Sequence, residues 1–425
     1  MKRLFGLFGL FGLLGLILFP AVGYSEVGVT ANEIKIGFYA PMTGFASYFG
    51  PSLRNGLMMA VDEVNNAGGI HDRKLKVIIE DDACDATKAV AAAKKLIVRD
   101  KVFMIFGGPC AHSVISGCNL ADEEKIPLYV VSSAEELVKN YHKYCFIIGM
   151  TTWNQSRLMV DFAINELKAK RIGIVYQTGA YGQPGGEGFI TRMKKYGMEP
   201  VATVVHKIGD TDYTAQVLKL KEANPDVVLV FSYTKEGAMI IRQAWEKGLK
   251  AKWVMSTTGN IPSVIDLATK EAVAGRYYAI NLTSDIIEGP KLKPFLEIYT
   301  KKFPADAARP DFPNDRDTMA YIAGKMIIEA LKRCGKDLTR DKFISTLENM
   351  GEFKSDIFPP ARFRPNDHDG MKTTYWVMYD ENGKRRFIDK LYEWNEPFSG
   401  SAGPGETAET IKAKEEEYYQ TLKKK

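Results

Sequence analysis

Short apolar runs rich in β-branched and aromatic residues alternate with amphipathic helical stretches along most of this chain, which restricts it to doubly wound α/β structure built on parallel sheets. Residues 34–39 read as a strand, and residues 53–67 as a helix that stops at Gly68 and Gly69. A strand over 75–80, a helix over 88–99 and a buried strand over 103–106 follow, the last ending at Gly107, Gly108 and Pro109. A helix over 113–124 and a strand over 128–131 complete this series. A second series begins after Thr151, with helices over 155–167, 187–196, 213–223 and 237–247 and strands over 171–176, 201–206, 227–232 and 253–256.

Two such series of similar length predict two doubly wound parallel-sheet lobes joined by a three-segment hinge, with a cleft between them. The largely helical stretch 281–349 is too short for a third lobe and is expected to return to the first. Residues 275–280 would carry the chain back, and residues 358–363 would cross once more. The expected division is 26–150 with 281–357 for the first lobe and 151–280 with 358–394 for the second. Residues 395–425 form a polar, charged tail, read as a solvated or loosely docked appendage.

The first 25 residues stand apart. Lys2 and Arg3 precede an apolar run to Phe19, then Pro20 and small residues to Ser25, the layout of a secretory signal peptide cleaved near Ser25. An uncleaved anchor is the competing reading, since the run approaches the shortest spanning helix. Export implies a periplasmic protein. Composition agrees with a globular domain: of 425 residues 26% are charged and 45% hydrophobic, which excludes wholesale disorder. The formal charge of +5, two units of it in the leader, is spread thinly and gives no reason to expect nucleic acid.

Cys84, Cys110, Cys118, Cys145 and Cys334 lack paired C-x-x-C spacing and the five histidines are scattered, so no metal and no cofactor is expected. In an oxidising compartment one or two disulfides with a cysteine left over are expected. Spacing alone leaves the partners open.

Ligands of open parallel sheets sit beyond the carboxyl ends of the strands, where helix starts present free N–H groups. That rule selects Cys110, Ala111 and His112 with Ser113, in the turn after the strand at 103–106. It also selects Ser132 and Ser133, expected to open another helix. A carboxylate would suit both turns, although ordinary capping by Ser113 and Ser133 is the plainer alternative. On the other side, Tyr181 in the Gly-rich run 179–186 and Tyr233 after the strand at 227–232 could supply an apolar wall with a polar rim. The Gly-rich run has neither the G-x-G-x-x-G order nor a G-K-[ST] ending and reads as a flexible turn. No G-x-S-x-G elbow is present. The acidic group Glu80, Asp81, Asp82 and Asp85 reads as a solvated strand end, so an enzyme is not expected.

The sequence Ile34-Lys35-Ile36-Gly37 with Ala40-Pro41-Met42-Thr43-Gly44, then Asn65-Asn66-Ala67-Gly68-Gly69-Ile70 and Asp81-Asp82-Ala83-Cys84-Asp85, resembles the periplasmic binding proteins of branched-chain amino acid ABC transporters. Tyr181-Gly182, Arg242-Gln243-Ala244 before Gly248, and Tyr321 extend the likeness over residues 31–390. The resemblance implies a type I periplasmic binding fold with a Cys84–Cys110 disulfide, and suggests a second bridge between Cys118 and Cys145. It implies a monomer that captures a small solute by hinge closure and passes it to an inner-membrane permease served by separate ATPase subunits. A ligand-sensing protein feeding a receptor is the alternative.

Carried over by position, Ser132 and Ser133 match groups that hold the ligand carboxylate, and Tyr48 matches an aromatic that covers the ligand side chain. Tyr181 and Tyr233 match second-lobe contacts. Two positions depart from the pattern. Ala111 stands where the family has a serine, and Thr258 where an acid pairs with the ligand ammonium. A buried ammonium without its counter-charge loses several kcal/mol, so the departure points away from α-amino acids and toward aromatic or aliphatic carboxylates or amides.

Overall fold

The computed structural model describes residues 26–393 except 45, 140, 310 and 311. The proposed leader and the tail after 393 lie outside the described residues. Two sheets organise the chain. The first contains β1 (Glu33–Ala40), β2 (Lys74–Asp81), β3 (Met104–Gly107), β4 (Leu128–Val130) and β5 (Cys145–Ile147), all parallel, in the order β2-β1-β3-β4-β5. Its inner strands are apolar without alternation because helices cover both faces; all four residues of β3 are buried. On the edge strand β2 the lysines alternate with buried Leu75 instead.

The second sheet holds β6 (Ile172–Gln177), β7 (Ala202–His206), β8 (Val227–Phe231), β9 (Lys252–Met255), β10 (Tyr277–Asn281), β11 (Thr373–Tyr379) and β12 (Arg385–Glu393). Its order is β12-β11-β10-β9-β8-β6-β7, parallel up to β10 and antiparallel for the last two strands. Residues 275–280, expected to carry the chain back, instead run into β10 (Tyr277–Asn281) of this sheet, and the chain leaves after Asn281.

The helical stretch does return to the first lobe. Helix Asp315–Cys334 crosses Phe49–Asn66 so closely that a Cβ on Gly56 would lie 2.5 Å from the Asp317 carbonyl. Helix Arg340–Asn349 is pinned there too, with the Arg340 guanidinium donating to the Phe103 carbonyl at 3.0 Å and the Val102 carbonyl at 2.9 Å.

The third crossing falls later than residues 358–363. Phe363 packs edge-on against Tyr129 and Phe146 of the first sheet, and Asp369 bridges Ile147. The aromatic surface left open on β4 and β5 retains this segment until about Thr373, where β11 begins.

Helix starts follow local chemistry: Asp85, Thr151, Asn314 and Thr339 each accept a backbone N–H from the first turn they cap. In the Gly-rich run, expected to be a flexible turn, residues 179–181 do form a turn while the rest is helix. Helix Gly182–Lys195 starts within it, and Cβ atoms on Gly185 and Gly186 would lie 2.3 Å from the rings of Phe231 and Tyr176. The glycines let the helix lie against the sheet.

Candidate functional site

The carboxyl ends of both sheets open onto one cavity of about 650 Å³, within the range of small-molecule sites. All nine residues singled out from the sequence, Tyr48, Cys110, Ala111, His112, Ser132, Ser133, Tyr181, Tyr233 and Thr258, line it.

On the first lobe, β3 ends at Gly107 and the chain enters helix Ala111–Glu124 with Cys110 as an extended cap whose side chain makes no capping bond. The first-turn N–H groups lack intrahelical acceptors and face an electrostatic preference for anions. Cys110 is joined to Cys84, and the His112 imidazole lies 2.5 Å from the Cys84 carbonyl, so this turn is tied to the end of β2. Ser113 is the third residue of the helix, not its cap, and is fully buried.

Ser132 and Ser133 differ from expectation, because no helix of useful length starts there. The next helical segment is the single turn Glu136–Lys139. The Ser132 hydroxyl instead donates to the Pro109 carbonyl at 3.3 Å and accepts from the Ala134 N–H at 3.2 Å, joining the two turns. Beside them the Tyr48 and Phe49 rings lie with centroids 4.2 Å apart and planes tilted by 35°, and the Arg316 guanidinium lies 4.6 Å from the Phe49 ring centre.

On the second lobe Tyr181 and Tyr233 stack with centroids 5.3 Å apart and ring planes 9° from parallel. Tyr181 is backed by Phe231, and its hydroxyl is 3.0 Å from the Ser256 hydroxyl. Burial pushes its phenol up to about 12, so it stays protonated and can donate. The Thr258 hydroxyl donates to the Ser232 carbonyl at 2.5 Å.

Other lining groups carried no sequence signal that reasoning used. Gln177 ends β6 and accepts the Tyr233 N–H at 2.8 Å. Lys235 and Glu236 open helix Thr234–Glu246, and Asp315, Arg316 and Met319 come from the start of helix Asp315–Cys334. The cue available for the last three was the Asn314 cap, which marks a helix start near a crossing point.

Asp82, read as solvated, is fully buried. Desolvation pushes its carboxyl up to about 6 despite a hydrogen bond from the Cys84 N–H. Asp81 beside it is exposed and is held low by hydrogen bonds from Thr43, Ala83 and Met42 that outweigh its desolvation. Among the described residues no group of His, Cys, Asp and Glu could hold a metal ion, and no helix is long and apolar enough to cross a membrane.

The family model described as periplasmic binding protein matches residues 33–384. A leucine-, isoleucine-, valine-, threonine- and alanine-binding protein of Pseudomonas aeruginosa is 29% identical over 286 residues, covering 66% of this chain and 74% of the relative. A fatty acid ABC transporter substrate-binding protein from Thermomonospora curvata superposes with a TM-score of 0.75 at 20% identity, over 90% of this chain and 98% of its own. A solute-binding protein from Rhodopseudomonas palustris, solved with 3,4-dihydroxybenzoic acid, gives 0.70 at 21% identity, over 88% and 99%. With two parallel-sheet lobes meeting over a single lined cleft, and a family model that spans most of its length, this chain belongs to the periplasmic binding protein family.

Proposed function

We propose that the protein is the extracytoplasmic solute-binding component of an ABC importer, which closes its lobes over a small carboxylate or amide and delivers it to a membrane permease. The observation that carries this reading is the facing of a cation-like helix start at Cys110–His112 by the stacked Tyr181 and Tyr233 across one cavity. In this reading the solute carboxylate lies at Cys110, Ala111, His112, Ser132 and Ser133. Tyr48 covers its apolar part from the first lobe, and Tyr181, Tyr233 and Thr258 close on it from the second. Only contacts made better in the closed form can draw the lobes together.

Thr258, with its hydroxyl engaged by Ser232, supplies no counter-charge for an ammonium. The solute is therefore drawn from aromatic or aliphatic carboxylates and amides in preference to plain branched-chain amino acids. A solute-binding protein returns its ligand unchanged. Thermal-shift screening of protein lacking residues 1–25 against amino acids, aromatic acids, short aliphatic acids and amides tests the reading, with chromatography of the recovered solute. Stabilisation by one class, lost in a Ser133→Ala, Ala111→Leu double variant whose unliganded melting is unchanged, is the expected result.

A further inference from the structure

The first and third crossings between the lobes meet at one buried carboxylate that lies outside the lining of the cleft, that of Asp369. Its backbone belongs to the first lobe. Asp369 bridges Ile147 in parallel, with the Ile147 N–H donating to the His368 carbonyl and the Gly370 N–H to the Ile147 carbonyl, each at 2.9 Å. His368 beside it stacks on Phe146 with centroids 3.8 Å apart, and its ring lies 3.0 Å from the Glu348 carboxylate.

The Asp369 side chain reaches the other lobe. Its Oδ2 accepts from Asn154 Nδ2 at 3.1 Å and from Lys372 Nζ at 2.8 Å; within its own segment the Met371 N–H also donates to it. Asn154 stands in the first turn of helix Thr152–Asn165, whose Phe162 stacks on Trp376 of β11 at 4.0 Å and whose Ser156 donates to the Gly185 carbonyl at 2.7 Å. Lys372 immediately precedes β11 and also lies 3.3 Å from the Asp367 carboxylate.

The Asp369 side chain is wholly buried and Asn154 is 2% exposed. Water cannot take over these bonds, so drawing the partners apart would leave a carboxylate and an amide dry and unpaired. A rotation of one lobe against the other stretches contacts far from its axis and spares those on it. These bonds therefore survive lobe motion only when the motion turns about them.

We propose that Asp369 is the pivot of lobe closure, a positioning residue that holds the first and third crossings at a fixed separation while solute is captured. The inference rests on the binding reading above and adds to it the contacts that persist through the motion. Without the pivot the unliganded lobes sample more arrangements, and closure over a solute must remove that extra freedom.

The test measures the interlobe distance by double electron–electron resonance on protein lacking residues 1–25. Nitroxides are carried on ketone-bearing residues in place of exposed Val98 in the first lobe and exposed Leu218 in the second, which leaves the cysteines untouched. Asn154→Ala removes the bond between the lobes and keeps the Asp369–Lys372 pair. Without solute it is expected to give a broader distance distribution than wild type. Asp369→Asn keeps an acceptor for Asn154 and should lie between the two. For the probes that shorten the distance in wild type, among L-leucine, 4-methylpentanoate, benzoate and benzamide, Asn154→Ala should bind about three- to tenfold more weakly. Distributions as narrow as wild type in both variants, whatever their melting temperatures, would reduce Asp369 to a stabilising contact and overturn the inference alone. A wild-type distance that none of the four probes shortens would overturn the closure reading and the inference together.

Discussion

Gln155 fastens Thr257 to the floor of the cleft: its Oε1 accepts both the N–H and the hydroxyl of Thr257, each at 3.1 Å. The same amide donates to the Met150 carbonyl at 2.7 Å and lies 3.4 Å from the Ser133 hydroxyl. A fully buried residue on the first helix after the crossing thus joins the serine turn of one lobe to the strand end of the other.

Gln155→Leu, close in volume, should remove these bonds and leave the Thr257 N–H and hydroxyl unpaired. Unfolding free energy from urea melts is expected to fall by about 1–3 kcal/mol. Solute affinity should fall with it, because the two halves of the cleft lose their common register. Unchanged stability would show that Thr257 finds other partners.

The stacked tyrosines separate two contributions. Tyr181→Phe keeps the stack on Tyr233 and loses the hydroxyl's hydrogen bonds to Ser256, Thr258 and Thr257, so a loss of about 1 kcal/mol in stability is expected. Tyr233→Ala removes the cavity-facing ring and should weaken solute binding by more than the phenylalanine change does. Titration calorimetry of both variants checks the order; equal effects would mean the ring is not a contact.

Asp82 should make stability depend on pH. Its folded carboxyl titrates near 6 because it is cut off from water, whereas an unfolded aspartate titrates near about 3.9. The native state therefore holds the proton more tightly. The contribution is full below the unfolded value, and it is lost as pH rises from about 4 through about 6, by an amount on the order of 1–3 kcal/mol. Asp315, likewise raised to about 6 by burial, acts in the same direction. In urea melts Asp82→Asn should flatten this decline, and an unaltered slope would assign it elsewhere.

Both disulfides, Cys84–Cys110 and Cys118–Cys145, close loops of similar length, with separations of 26 and 27 residues, and Cys334 is free and buried. Each should contribute about 3 kcal/mol. Peptide mapping without reductant is expected to find these two pairs. A Cys118→Ala, Cys145→Ala variant should melt lower with solute affinity kept, while loss of Cys84–Cys110 should cost affinity as well, since that bridge lines the cleft.

Strand and helix order was legible in the sequence because each element buries a continuous apolar run or an amphipathic face, a local property of the chain. The eight strands read from the sequence match β1–β4 and β6–β9 to within one residue at each end, whereas β5 was not expected as a strand and residues 275–280 were expected as a crossing. The turn at Cys110–His112 and the tyrosines at 181 and 233 were legible for a related reason: a parallel sheet places its ligands after strand ends, and strand ends are visible. Tertiary structure decided the remainder. Phe363 stays with the first lobe, where it packs edge-on against Tyr129 and Phe146, and the later part of the Gly-rich run is helix lying close against the Phe231 and Tyr176 rings, a closeness that glycines at 185 and 186 allow. Asp82, Asn154 and Asp369 look like ordinary polar residues in the sequence. Their importance comes from being cut off from water, and dehydration is a property of the packed surroundings, which no local stretch of sequence encodes.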